Sequence, residues 1–162
     1  MRVLTIADPQ DSLILRQPST DLTREDIADG LYRTLATKML ATVTSPEQDG
    51  VGIAGPQVGV LRRVVAVMRY DKPDRPFEVY PNIRIIGSRG EKEPGPEGCL
   101  SVPDMRGGVA RYQDITISYT DPVTLADTTE TVQGYSAVIF QHECDHLDGV
   151  LYIDKILPAL ED

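Results

Sequence analysis

The only two histidines of the chain, His142 and His146, stand four residues apart, and Glu143 directly follows the first. Residues four apart lie on one face of a helix, so both imidazoles could bind one metal ion. Glu143 could then act as general base on a metal-bound water. Ordinary core or surface histidines are one alternative. A structural metal closed by four protein ligands is another, but it would not need Glu143. The spacing favours a metal-dependent hydrolase.

The third ligand distinguishes among such enzymes. Zinc proteases with this motif usually take a downstream Glu or His, but the only downstream Glu is Glu161, and Asp148 and Asp154 have no positive support. Upstream, Cys99 could bind as a thiolate, and one Cys with two His leaves a fourth position open for water. A single free Cys is more often a small buried hydrophobe, so the residues alone leave the two interpretations even.

The helix that carries this motif is predicted over Tyr135–Leu147, between Gly134 and Gly149. One stripe of the helix ends in the two histidines and begins with the side chains of Tyr135, Val138 and Ile139. This stripe predicts a hydrophobic pocket beside the metal, although plain core packing would give the same pattern.

Another helix is predicted near the N-terminus. Residues 1–20 contain Pro9 and Pro18 and are expected to be extended. Asp21 or Thr23 could cap the helix that follows. Its apolar face recurs every four residues, at Ile27, Leu31, Leu35 and Met39.

Several strands complete an α+β fold. Residues 50–59 are expected to form a glycine-rich loop or irregular strand, and residues 91–98 a polar connector. The predicted strands are 63–68, 77–86 with an interruption at Pro81, and a hairpin of 115–119 with 128–132. We therefore expect small mixed or antiparallel strands around a central metal-binding helix, with an N-terminal helix, in a single catalytic domain over 1–162.

Composition restricts the partners and the compartment. There are 25 acidic and 16 basic residues, and the formal net charge of −9 argues against direct binding to nucleic acid. Two cysteines do not make a disulfide framework, and no apolar segment has the length of a signal peptide or a membrane span. We expect a cytoplasmic protein without a membrane partner.

Three separated motifs resemble those of the peptide deformylase family. Residues 50–57 (GVGIAGPQ) are similar to GxGLAAxQ, residues 97–101 match EGCLS, and residues 141–146 (QHECDH) match QHExDH. The resemblance covers roughly residues 21–157 and keeps the family's order and intervals. Ile53 and Gly55 replace Leu and Ala, and Gly55 is expected to loosen the segment that holds Gln57.

The resemblance implies a role for each motif residue. The implied metal ligands are Cys99, His142 and His146, with Glu143 as general base. The Gln57 side-chain amide and the Leu100 backbone N–H would hold the oxyanion. The methionine side chain would lie against Tyr135, Val138 and Ile139, and the peptide backbone along Val51 and Gly52.

The resemblance also implies a cofactor and a substrate. The substrates would be N-formyl-methionyl peptides and nascent chains. One divalent metal is expected, Fe²⁺ in the cell, while Zn²⁺ or Ni²⁺ could occupy the site in purified protein. Many bacterial members continue into a longer C-terminal helix. In this chain that C-terminal helix is expected to be short or absent. Together with the acidic net charge, this argues against docking on the ribosome.

Three alternatives predict different features. A metalloprotease or other amidase would use a downstream third ligand and act on unformylated peptides. A non-catalytic, metal-stabilised binding module would not need Glu143 or Gln57. The G-x-G-x-x-G spacing of residues 50–55 lacks the strand before it and the helix after it that a dinucleotide site needs.

Cys144 lies about 200° around the helix from His142 and is expected to pack in the core.

Overall fold

The structure, a computed structural model, describes residues 1–158 of the chain. Its helices are α1 (Pro9–Leu15), α2 (Arg24–Ala28), α3 (Leu31–Val43) and α4 (Tyr135–Leu147). Its strands are β1 (Gly52–Ala54), β2 (Val64–Met68), β3 (Phe77–Pro81), β4 (Arg84–Cys99), β5 (Val102–Thr120) and β6 (Asp127–Gln133). Short 3₁₀ helices cover Gly55–Val58 and Tyr152–Lys155. None of the helices described is both long enough and apolar enough to cross a bilayer.

The strands form two antiparallel sheets, with the orders β1-β2-β3 and β4-β5-β6. In the first sheet Ile53 pairs with Ala66, and in the second Ile115 pairs with Val132. The α+β class and the predicted hairpin that ends in β6 are therefore confirmed. Pairing within both sheets is antiparallel rather than mixed, because each strand is paired with the strand next to it in sequence.

Strand β2 is buried on both faces, which explains the continuous apolar run at its start. Val64 and Ala66 pack with α2 and α3, while Val65 and Val67 pack with α4. Ile117 of β5 belongs to the same cluster as α4. Helix α4 therefore lies between the two sheets, and its bounds are those predicted from the sequence.

The N-terminal region differs from the prediction in two respects. Residues 9–15 form α1 rather than an extended segment, because Asp8 caps the helix and Pro9 occupies its first turn, where proline is favoured. The single helix expected next is broken at Gly30, whose φ of +92° interrupts it between α2 and α3. Leu31 is consequently exposed, although it was predicted to belong to the apolar face.

The prediction of a polar connector over residues 91–98 is also wrong, because these residues form the second half of β4. Pro94 and Pro96 lie opposite Ala110 and Gly108 of β5. Strand β4 is at the edge of its sheet, where residues without a backbone N–H are tolerated. The long hairpin of β4 and β5 turns at residues 100–101, next to Cys99, and so brings the second motif to α4.

Candidate metal centre and active-site cleft

The side chains of Cys99, His142 and His146 converge where the end of β4 meets α4. Their ligand atoms all lie within 4.8 Å of one another, and Cys99 Sγ is 3.3 Å from His146 Nε2. Among residues 1–158, no other group of three or more His, Cys, Asp or Glu side chains is close enough to hold a metal. The thiolate and imidazole donors suit a divalent transition metal.

The other candidate ligands are occupied elsewhere. Asp148 pairs with Arg63 at 3.0 Å, and Asp154 pairs with Arg16. Glu161 lies outside the described residues. These pairings give no support to a downstream aspartate as third ligand, whereas Cys99 lies beside both histidines.

The protonation of the two imidazoles fits a bound cation. His142 donates from Nδ1 to Glu97 Oε1 at 2.8 Å, which leaves Nε2 for a metal. Burial lowers the pKa of His142, but the charge of Glu143 and hydrogen bonds outweigh it and raise that pKa to about 10. The site therefore attracts positive charge. Burial lowers the pKa of His146 well below its usual value, so this ring is neutral and can donate a lone pair.

The carboxylate of Glu143 is buried and faces the same site. Its Oε1 atom has no hydrogen-bond partner among the described residues and lies 4.0 Å from His146 Nε2. A buried carboxylate oxygen without a partner is unfavourable, so a cation or a water beside it would stabilise it. Burial also raises the pKa of Glu143 to about 7, which suits a group that accepts and returns a proton.

A chain of charged side chains holds His142 from its other side. Arg111 donates to both oxygens of Glu97, at 2.9 and 3.0 Å, and to Asp145 at 2.6 Å. Burial raises the pKa of Glu97, but the hydrogen bonds from His142 and Arg111 lower it overall. Glu97 is therefore ionised and orients the imidazole.

No role for Glu97 or Arg111 follows from the sequence alone. The presence of Glu97 in the second motif was the available signal, because metal-binding histidines commonly donate their second N–H to a carboxylate. Arg111 could not be distinguished from a surface arginine, since its partners come from another strand and from α4.

Gln57 is held at both ends of its amide. Ala54 N donates to Gln57 Oε1 at 2.9 Å, while Gln57 Nε2 donates to Ser101 Oγ at 3.2 Å and lies 3.6 Å from Cys99 Sγ. The amide nitrogen therefore points toward the candidate metal ligands. Leu100 lies in the turn between β4 and β5 and lines the same cleft as Gln57.

Gly55 does not loosen this segment, contrary to the expectation from the sequence. The residue is buried, and a Cβ atom there would lie 2.6 Å from Val60 O and 2.8 Å from Arg62 O. Val60 N also donates to Gly55 O at 3.0 Å. The missing side chain thus permits close backbone packing next to Gln57.

A cleft of about 630 Å³ opens beside the candidate ligands. All five residues predicted to contact substrate line it, namely Val51, Gly52, Tyr135, Val138 and Ile139. Gly52 lies directly against α4, since a Cβ atom there would lie 2.6 Å from Glu143 Oε2. The predicted stripe is not uniform: Tyr135 is half exposed at one end, whereas His146 is buried and is not among the lining residues described. Cys144 packs in the core, as expected.

Comparison with known proteins identifies relatives of this arrangement. The family model described as polypeptide deformylase matches residues 1–161. A peptide deformylase from Leptospira biflexa is 37% identical over 162 residues, which cover 96% of this chain and 87% of the relative. The crystal structure of peptide deformylase from Thermotoga maritima has a TM-score of 0.81 at 32% identity, with 97% of each chain covered. A Met-Ala-Ser-bound peptide deformylase from Acinetobacter baumannii has a TM-score of 0.84 at 33% identity, with 96% of this chain and 98% of that one covered.

Proposed function

Because the chain belongs to the polypeptide deformylase family and is an enzyme that deformylates nascent peptides, we propose that Cys99, His142 and His146 hold the metal of this reaction. The observation that carries the proposal is the convergence of their ligand atoms within 4.8 Å. When bound, a divalent ion would supply a Lewis acid for the formyl carbonyl and lower the pKa of water. Fe²⁺ is the ion we propose for the cell, and Zn²⁺ or Ni²⁺ could replace it in purified protein.

Glu143 is the residue to which we assign proton transfer. Its buried carboxylate faces the ligand cluster and has a pKa raised to about 7. It accepts a proton from the attacking water and delivers it to the amine that leaves as the formyl C–N bond breaks. The products are formate and a peptide with a free N-terminal methionine.

Gln57 and Leu100 are assigned to the negative charge that develops on the formyl oxygen. Gln57 Nε2 is fixed beside Cys99, and Leu100 is the next residue after this ligand. An amide N–H from each of two fixed segments would stabilise the oxyanion without reorganisation during the reaction. The formyl carbon carries only hydrogen, so a tight site accepts formyl and excludes the larger acetyl group.

The substrate is placed along the open edge of the first sheet. Within the described sheet, β1 pairs with β2 and leaves its other edge beside the cleft, where Val51 and Gly52 can offer backbone groups to an added strand. The methionine side chain would then lie against Val138 and Ile139. Support comes from the Acinetobacter baumannii relative, whose structure has Met-Ala-Ser bound.

The test is formate release from formyl-Met-Ala-Ser by protein purified without oxygen and loaded with Fe²⁺ or Ni²⁺. We expect release that is lost in Glu143→Gln and absent with acetyl-Met-Ala-Ser. No release by the metal-loaded protein would refute the proposed mechanism. Cleavage of unformylated peptides would instead favour the metalloprotease alternative.

A further inference from the structure

The N-terminal segment of residues 3–6 lies directly behind the two loops that carry the proposed oxyanion donors. Leu4 N donates to Gln57 O at 2.7 Å, and Ile6 N donates to Ser101 O at 3.0 Å. Gln57 and Ser101 are 44 residues apart in sequence. One short stretch of backbone therefore joins the loop after β1 to the turn between β4 and β5.

The side chains of this segment reinforce both attachments. Val3 belongs to the core cluster that contains Ile53 of β1, and Leu4 is buried. Ile6 packs against the small apolar cluster around Tyr152, against which Cys99 also packs. The segment is consequently anchored to the first motif on one side and to the second motif on the other.

A pair of charged residues fixes the position of the segment. Asp11 of α1 is buried, and its carboxylate accepts hydrogen bonds from the Arg2 guanidinium at 2.6 and 2.9 Å. The same carboxylate accepts a hydrogen bond from Thr5 N at 3.2 Å. Three hydrogen bonds, two from Arg2 and one from Thr5, thus converge on the Asp11 carboxylate. They hold the segment in a fixed position against the two loops.

We propose that residues 3–6, fixed by the Arg2–Asp11 pair, are a positioning element that sets the Gln57 amide and the Leu100 turn relative to each other. This inference rests on the proposed function. A loosened segment would leave His142 and His146 in place, because α4 holds both, and Cys99 would stay paired with Val102 at the end of β4. It would let the two oxyanion donors move apart, and a displacement of about 1 Å in such a group can lower a rate by roughly a hundredfold.

The experiment compares Asp11→Ala, Arg2→Ala and the double variant as Ni²⁺-loaded enzymes. The Arg2 side chain is 68% exposed, so its removal does not disturb the core and serves if Asp11→Ala does not fold. For each single variant we expect kcat on formyl-Met-Ala-Ser to fall about tenfold with KM and Ni²⁺ affinity unchanged. The double variant should be no worse than either single one, and Arg2→Lys should restore activity. Asp114→Ala, which removes a surface pair with Arg89 at 2.7 Å, is the matched control and should keep kcat.

Hydrogen–deuterium exchange gives a readout that does not depend on turnover. We expect faster exchange in residues 55–60 and 100–101 of Arg2→Ala, and unchanged exchange in α4. Unchanged exchange in both loops, or a lower melting temperature with unchanged kcat, would overturn the inference. If the parent enzyme released no formate, the proposed mechanism would fail, but faster exchange in both loops would still support the positioning role.

Discussion

Glu97 Oε1 lies 2.8 Å from Nδ1 of His142, so a residue near the end of β4 fixes the orientation of an imidazole on α4. This contact joins the second and third motifs before any metal binds. It also keeps Nδ1 of His142 as the donor, so that Nε2 is the nitrogen that would lose its proton to bind a metal.

Replacement of Glu97 by Gln should weaken metal binding. The amide is nearly isosteric, but it removes the negative charge that orients His142 and leaves Arg111 without its buried partner. We expect the affinity for Co²⁺ to fall by about 10- to 100-fold in a titration followed by visible absorption. Glu93→Gln, an exposed position on the same strand, is the control. Equal affinities of the two variants would contradict the role of Glu97.

Acid should destabilise the metal-free protein partly through Glu97. Hydrogen bonds lower the pKa of this carboxyl below its usual value of 4.5 in the folded state. The group therefore contributes stability that is fully present above pH 4.5 and is lost as the pH falls through the folded pKa. Between pH 6 and pH 3, the free energy of unfolding should fall less steeply in Glu97→Gln than in the parent protein. Urea unfolding at several pH values measures the difference, and parallel profiles would exclude this contribution.

Gly55→Ala, which restores the more usual family residue, should harm this protein. The added methyl group would lie 2.6 Å from Val60 O and 2.8 Å from Arg62 O, so the backbone beside Gln57 would have to move. We expect a destabilisation of about 1–3 kcal/mol by thermal unfolding, together with a lower kcat. Gly95→Ala is the matched control, because a Cβ atom there meets nothing within 4 Å and should change neither quantity. A gain in stability or activity from Gly55→Ala would show that the glycine does loosen the loop.

The two cysteines should differ in their effect on metal content. Cys99→Ser replaces the proposed soft sulfur ligand, whereas Cys144 of α4 packs in the core against the strands. Elemental analysis of purified protein should find about one metal per chain in Cys144→Ala and strongly reduced metal in Cys99→Ser. Metal loss in both variants to the same extent would contradict the proposed ligand set.

The sequence by itself determined the helix with its two histidines, its bounds and the family. Residues four apart share a helical face, so the spacing of His142 and His146 fixes their relation before any tertiary contact forms. Short motifs likewise predict roles for Cys99, Glu143 and Gln57 without reference to distance. Local signals also gave a wrong prediction where one residue type has two preferences. Pro9 suggested an extended segment, but proline is also favoured in the first turn of a helix, which is its position in α1.

Only the tertiary structure decided which groups surround these residues. The strand over 91–98 exists because it pairs with β5, and such pairing overrides the local preference of Gly and Pro for turns. The Arg111–Glu97–His142 connection and the close packing at Gly55 depend on distances between elements far apart in sequence. Contacts of this kind have no local periodicity, which is why candidate ligands could be proposed from the sequence while the groups that position them could not.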